Sequence, residues 1–316
     1  MKGHVSDEGF VVRPIAHNHP AFLLIPVTAG DMASNAARLT SNVTDNGCSL
    51  VEQRYPGKVC TPTTSGRHAL ELVLGDIGVQ RGDNVAIYTT TGNHYVSGCV
   101  TQTIESRADW IREGIDSNTR AILVNHEFGY PFDIERLRVL RHYGLPIIED
   151  CAYSMGCHYE DGEPVGSFGD YAIFSLPKYL PVQVGGFALS AQPLLSEATS
   201  NNDRRYVEVA LATYYPQLES IAKSRCENHL ALAERLQGLG IRPLMKLKQG
   251  AAPGVFLFQY EGPLDYPALK DYLWAMGVQC SVFYGKEAFF LPCHQASSRA
   301  YMNMIHALLK AFIDAN

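Results

Sequence analysis

Several absences narrow the field. The eight cysteines, at positions 48, 60, 99, 151, 157, 226, 280 and 293, form no C-x-x-C pair and no zinc-like grouping, so neither a disulfide framework nor a structural metal is expected and the thiols read as reduced. No apolar run approaches the ~18 residues of a membrane span. No H-E-x-x-H motif is present, which argues against a metal-dependent hydrolase built around His126-Glu127. Basic residues number 26 against 32 acidic ones, a net charge of -6, so there is no global attraction for nucleic acid or an anionic membrane, and any phosphate must be held locally. Repeats and low-complexity tracts are also missing. What remains, 46% hydrophobic and 18% charged over 316 residues, is a globular chain with a large core and roughly two domains. Met1 to Glu8 lacks the apolar core of a signal peptide, and the run Ala21–Val27 is broken by Pro26, so a cytoplasmic location is expected.

The first forty residues are weakly patterned. Their His17-Asn18-His19-Pro20 cluster reads as a solvated loop in preference to a metal site. From residue 59 an extended segment, Val59 to Pro62, leads through the polar loop Thr64-Ser65-Gly66-Arg67 into a helix carrying Ala69, Leu70, Leu72, Val73 and Leu74. Strands follow at Asn84–Tyr88, Arg120–His126, Gly144–Asp150 and Asp170–Ser175, with helical segments between them, including Ile134–Tyr143. This alternation predicts an α/β fold with a mainly parallel sheet, where ligands gather at the carboxyl ends of strands; Asp150 and Ser175 fall at such ends. Ala191 to Arg205 reads as a linker. Tyr214 to Leu239 reads as a long helix, Val255–Tyr260 as a strand, Tyr266–Met276 as a helix, Val278–Phe283 as a strand and Ser297–Ala311 as a final helix. The expected organisation is a large domain over residues 1–200 and a small C-terminal α+β domain over 201–316.

Three features carry chemistry together. Asp150 is an acid at a strand end, Lys178 follows a buried strand within Phe174-Ser175-Leu176-Pro177-Lys178-Tyr179-Leu180, and Ser65-Gly66 opens a helix. Helix N-terminal N–H groups can hold a phosphate. A lysine in apolar surroundings can form a Schiff base, and a carboxylate can keep a pyridine nitrogen protonated, the electron-sink arrangement of pyridoxal phosphate.

Here the sequence resembles the nucleotide-sugar aminotransferases of the DegT/DnrJ/EryC1/StrS group, within the PLP-dependent enzymes of fold type I. The likeness runs from about Val51 to Ser190 through Pro146-Ile147-Ile148-Glu149-Asp150-Cys151-Ala152, Gly156, Val165-Gly166-Ser167-Phe168-Gly169-Asp170 and Phe174-Ser175, and resumes at Phe290-Leu291-Pro292-Cys293-His294. His126-Glu127-Phe128-Gly129-Tyr130-Pro131 and Ser65-Gly66-Arg67-His68-Ala69-Leu70 also resemble family segments. The resemblance implies a fold type I PLP-dependent transferase with pyridoxal 5'-phosphate as cofactor. It implies that Lys178 forms the Schiff base, that Asp150, 28 residues earlier, pairs with the pyridine nitrogen, and that Ser175 contacts the phosphate beside Ser65, Gly66 and Arg67. It further implies a homodimer, a small-molecule amino donor such as glutamate, and a keto sugar as acceptor.

The pattern also departs from the family's. Tyr153 stands three residues after Asp150, where Gln or His is usual near the cofactor's phenolic oxygen. The segment Thr89–Tyr95 lacks the usual stacking aromatic, for which His94 or Tyr95 could supply a ring. Asn201-Asn202-Asp203-Arg204-Arg205 is either a reduced form of the loop that reaches the partner's site or an exposed linker. Lys178 argues against a sugar dehydratase, which carries histidine there. Ser175-Leu176-Pro177-Lys178 matches the S-x-x-K of penicillin-recognising enzymes, but S-D-N and K-T-G are missing. The rival reading is a non-catalytic relative that binds cofactor or sugar without turnover.

Overall fold

The computed structural model describes residues 21–40, 46–195 and 199–315; the His17-Asn18-His19-Pro20 cluster lies outside them. The chain divides into two compact units, one of residues 26–223 and 248–252, the other of residues up to 25, 224–247 and 253–316.

The first unit is built from α1 (Ala29–Thr40), α2 (Gly47–Arg54), β1 (Val59–Thr63), α3 (Gly66–Ile77), β2 (Asn84–Thr89), α4 (Gly98–Glu105), β3 (Asp109–Arg112), β4 (Thr119–Asn125), α5 (Ile134–Arg141), β5 (Ile147–Asp150), β6 (Tyr171–Ser175), the short α6 (Leu176–Tyr179), β7 (Gly186–Ser190) and α7 (Asn201–Tyr214). Its seven strands lie in the order β1-β7-β6-β5-β4-β2-β3. The run from β3 to β6 is parallel, while β7 is antiparallel to both β6 and β1. Both faces are covered, which is why the central strands read as near-continuous apolar runs. Successive side chains alternate between the faces. Ala86, Ile122, Val124, Ile147, Phe174 and Phe187 join one cluster with Val51, Leu137 and Leu211, from α2, α5 and α7. Val85, Ile87, Leu123, Ile148, Ile173 and Ala188 join another with Leu70, Val73 and Ile104, from α3 and α4.

The expected linker ends earlier than its composition suggests. Residues 201–205 are the first turn of α7: Ser200 caps it by accepting from the Asp203 N–H, and the Asp203 side chain returns the bond in a capping box. The segment is therefore helical and not the exposed linker that its composition suggests. Farther along α7, Val207, Ala210, Leu211 and Tyr214 are buried against the first unit's core, which places residues 201–223 with the seven-stranded sheet and not with the C-terminal elements. The single long helix expected from 214 to 239 is broken by a 3-10 turn at Tyr215–Gln217, with Pro216 inside it, before α8 (Leu218–Gln237) begins.

In the second unit β8 (Ile241–Pro243), β9 (Val255–Tyr260), α9 (Tyr266–Ala275), β10 (Ser281–Phe283), β11 (Ala288–Pro292) and α10 (Arg299–Asp314) follow α8. Its antiparallel sheet has the order β10-β11-β9-β8. His294, just past β11, is buried and hydrogen-bonded through Nε2 to the Leu23 carbonyl at 2.9 Å; burial lowers its pKa to about 4. Among the described residues no helix is long and apolar enough to cross a membrane.

Candidate active site

Strand register brings the expected residues to one edge of the large sheet. Thr63, Gly186 and Ser175 lie opposite one another across β1, β7 and β6. One strand on, Asp150 pairs with Ile173 on one side and Asn125 on the other. Asp150 and Ser175 have the parity of Ile148 and Ile173, so they sit on the sheet face that α3 covers. The N-terminus of α3 is Ser65-Gly66.

That N-terminus is held by local chemistry. Ser65, in extended conformation, caps the helix, its Oγ accepting from the His68 N–H at 3.2 Å. First-turn N–H groups have no intrahelical acceptor and carry the positive end of the dipole. Glycine is required beside them. A methyl on Gly186 would lie 2.6 Å from both the Phe174 carbonyl oxygen and the Ser65 carbonyl carbon, and one on Gly66 would lie 3.1 Å from Ser175 Cβ. The result is a cradle of backbone N–H groups with the Ser175 hydroxyl beside it; Ser175 Oγ does not cap the short helix that it precedes. Arg67, on the same turn, is exposed.

Asp150 is 5% exposed, and its Oδ1 accepts from the Ala152 N–H at 3.0 Å. Among the described residues it has no ion pair, although a buried carboxylate calls for a cation. Lys178 is half-buried in the turn after β6, with Nζ 4.5 Å from the centroid of the Tyr153 ring. Tyr153 in turn packs on Phe128, centroid to centroid 5.6 Å. Phe128 sits at φ 57, a left-handed conformation costly for a bulky side chain. Its neighbour holds it: the Glu127 N–H donates to Thr90 Oγ1 at 3.2 Å, and Glu127 Oε2 accepts from the Thr91 N–H at 2.7 Å. The segments after β2 and β4 are thereby tied together. His94 and Tyr95 are exposed in the turn after β2, Tyr95 by 50%.

A residue that sequence reasoning passed over lies beneath this edge. Glu149, fully buried on the opposite face from Asp150, accepts through Oε2 from His126 Nε2 at 3.0 Å, from the Gly166 N–H at 3.0 Å and from the Tyr159 hydroxyl, and through Oε1 from the Gly169 N–H at 2.5 Å. His126 Nδ1 accepts from the Phe132 N–H at 2.9 Å, so its ring proton is on Nε2 and points at Glu149. Lys58 donates to the Gly166 and Gly169 carbonyls from the other side. Burial alone would raise the Glu149 carboxyl, but the hydrogen bonds from His126, the Gly169 N–H and Tyr159 outweigh it and hold the carboxyl at about 2. His126, Glu149 and Cys151 lie close enough together to suggest a metal site. The Glu149 oxygens are already committed to these donors, so the cluster is a hydrogen-bond network. It anchors the loop 165–170, and the two glycines at 166 and 169 are the sequence signal that could have revealed it.

The residues fit pyridoxal 5'-phosphate: Asp150 lacks a cation, Lys178 stands after the adjacent strand, and the Ser65-Gly66 cradle suits a phosphate. Comparison with known proteins agrees. Residues 53–199 match the profile of the DegT/DnrJ/EryC1/StrS aminotransferase family. The chain is 30% identical over 203 residues to L-glutamine:2-deoxy-scyllo-inosose aminotransferase of Streptomyces kanamyceticus, covering 57% of this chain and 47% of that protein. It is 26% identical over 202 residues to GDP-perosamine synthase of Vibrio cholerae, covering 54% of each. The chain thus spans about half the length of the curated relatives it matches. Among solved structures, the aminotransferase TlmJ of Streptoalloteichus hindustanus superposes with a TM-score of 0.73 at 17% identity, over 93% of this chain and 99% of that one. DesV of S. venezuelae does so with 0.72 at 18%, over 94% and 99%. The fold is that of the PLP-dependent aminotransferases.

Proposed function

Since residues 53–199 match the DegT/DnrJ/EryC1/StrS aminotransferase family, we propose that the protein is a PLP-dependent aminotransferase that moves an amino group from glutamate or glutamine to the keto group of a sugar or cyclitol. The observation that carries the reading is the convergence at one sheet edge of Asp150, without a cation partner, the Ser65-Gly66-Ser175-Gly186 cradle, and Lys178 in the short helix that follows the strand next to Asp150. The acceptor class rests on relatives named for inososes, perosamine and a dTDP-amino sugar.

When bound, the cofactor supplies an aldehyde that condenses with amines and a protonated ring that accepts the electrons of a carbanion. Asp150 would hold the proton on the ring nitrogen, since a carboxylate in a nearly dry site favours a cation beside it. The N–H groups of Gly66 and Arg67 and the Ser175 hydroxyl would hold the phosphate at the positive end of α3. Lys178 would hold the cofactor through Nζ, and its free amine would move a proton as general base and then acid. The Tyr153 ring gives the Lys178 ammonium a defined resting place over an aromatic face. His94 and Tyr95 remain the proposed stacking residues. The unit of 26–223 with 248–252 is read as the cofactor domain, and the other as the small C-terminal domain. The family resemblance also supports a homodimer in the cytoplasm, which sedimentation of the purified chain and fractionation of cells would test.

The purified chain is expected to show the absorption band of a lysine-bound cofactor. That band should vanish on borohydride reduction, be absent in Lys178→Ala, and shift when glutamate or glutamine is added. If cofactor binds but no amino donor shifts the band, the catalytic reading fails in favour of a binding relative; if no band forms, both fail.

A further inference from the structure

Two of the eight thiols are not isolated. Cys48, in the first turn of α2, and Cys60, the second residue of β1, are both buried, and their Sγ atoms lie 2.8 Å apart. That is only about 0.8 Å beyond the ~2.05 Å of a formed S–S bond. The backbone on each side is fixed in place: the Cys48 N–H donates to Glu208 Oε2 at 2.7 Å and the Cys60 N–H to Glu52 Oε1 at 3.0 Å. Gly47 presses on α7 so closely that a methyl there would lie 2.3 Å from the Glu208 carbonyl oxygen. Closing the remaining gap therefore asks for side-chain rotation within a frame that already holds the sulfurs face to face.

We propose that Cys48 and Cys60 form a cross-linking site, oxidised to an intramolecular disulfide by a two-electron thiol oxidant such as an azodicarboxamide or a low-molecular-weight disulfide. With the azo compound, both S–H bonds break, the S–S bond forms, and the N=N bond takes up the two protons and two electrons to become HN–NH. With a disulfide oxidant, two small thiols leave instead. The bond would tie α2 to the strand that runs directly into Thr64-Ser65-Gly66, closing a short loop that restricts the unfolded chain more than the folded one. Burial pushes the Cys60 thiol well up, with the Cys48 hydrogen bond, Glu208 and Glu52 adding to it, so the thiolate that attacks is scarce at neutral pH and the reaction is slow there. This inference does not depend on the proposed catalytic function.

The test treats the full-length protein at pH ~8.5 with azodicarboxylic acid bis(dimethylamide), then alkylates it under denaturing conditions. Two of the eight thiols should escape alkylation, the tryptic peptides 39–54 and 59–67 should be recovered as a disulfide-linked pair, and Tm should rise by roughly 3 °C or more, reversibly with dithiothreitol. Cys60→Ser treated in the same way should keep its remaining thiols alkylable and its Tm unchanged. Alkylation of all eight thiols in the wild-type protein, or a linkage between other cysteines, overturns the proposal whether or not the variant folds.

Discussion

Replacing Glu149 by glutamine should be among the most damaging near-isosteric changes in the large sheet. The carboxyl is held at about 2 against an ordinary 4.5, so its ionised form is favoured by about 3 kcal/mol, at ~1.36 kcal/mol per pKa unit. Glutamine keeps the shape but offers one acceptor oxygen to four donors: His126 Nε2, the Tyr159 hydroxyl and the Gly166 and Gly169 N–H groups. Its amide N–H₂ must then face at least one other donor in a fully buried site, which leaves buried groups unsatisfied. A loss of about 3 kcal/mol corresponds to a fall in Tm of roughly 6–12 °C for a unit of this size. The assay is a series of thermal melts followed by circular dichroism between pH 7 and pH 2.5. Because the folded pKa lies below the unfolded one, the wild-type contribution is complete above about 4.5 and fades as pH falls toward about 2. The gap between the two proteins should therefore narrow from pH 5 downward. A gap at pH 7 below about 1 kcal/mol, or one that stays constant over pH 5 to 2.5, would refute the reasoning.

Other changes separate the fold from the chemistry. Asp150→Asn removes the charge that would keep a ring nitrogen protonated; turnover should drop by at least ~100-fold while Tm holds or rises, because a buried carboxylate without a cation is itself costly, and activity within tenfold of wild type would argue against the assignment. Ser65→Ala deletes the α3 cap and should cost about 1 kcal/mol in a denaturant titration, with weaker cofactor binding by fluorescence. Gly186→Ala puts a methyl 2.6 Å from two backbone atoms that do not belong to flexible side chains; cofactor affinity should fall by more than ~10-fold, and an unchanged Kd would show that the cradle is not where the phosphate binds.

Much of this architecture was legible in the chain, and what was not has definite causes. Strands β4, β5, β6 and β9 announce themselves because burial on both faces, or in a small unit's core, leaves apolar runs with little to confuse them. The start of α7 was hidden by its polar first turn, since Asn201 to Arg205 precede the first buried residue, Val207. Helix α1 was hidden for a related reason: its only buried residue is Asn35. At the proposed site, Asp150 and Ser175 stand out as strand ends, Lys178 by its place just after a strand, and Ser65-Gly66 by its place before a helix. Glu149 did not, because its partners are supplied 10 to 23 residues away by Tyr159, Gly166, Gly169 and His126. Only the alternation of side chains along β5 separates two adjacent acids into one that faces the site and one that anchors a loop from behind.

The position of β1 in the sheet has a consequence in time as well as in space. Within the sheet this strand touches only β7, its partner more than 120 residues later in the chain. A growing polypeptide that has already made Ser65 and Gly66 has nowhere to fix them until residues 186–190 have emerged and returned antiparallel beside β6. The proposed phosphate cradle is thus among the most non-local features of the domain, completed after the parallel strands have been synthesised. Cofactor present during refolding should act on the last stage of assembly, favouring molecules in which β7 has already docked over those still forming the sheet.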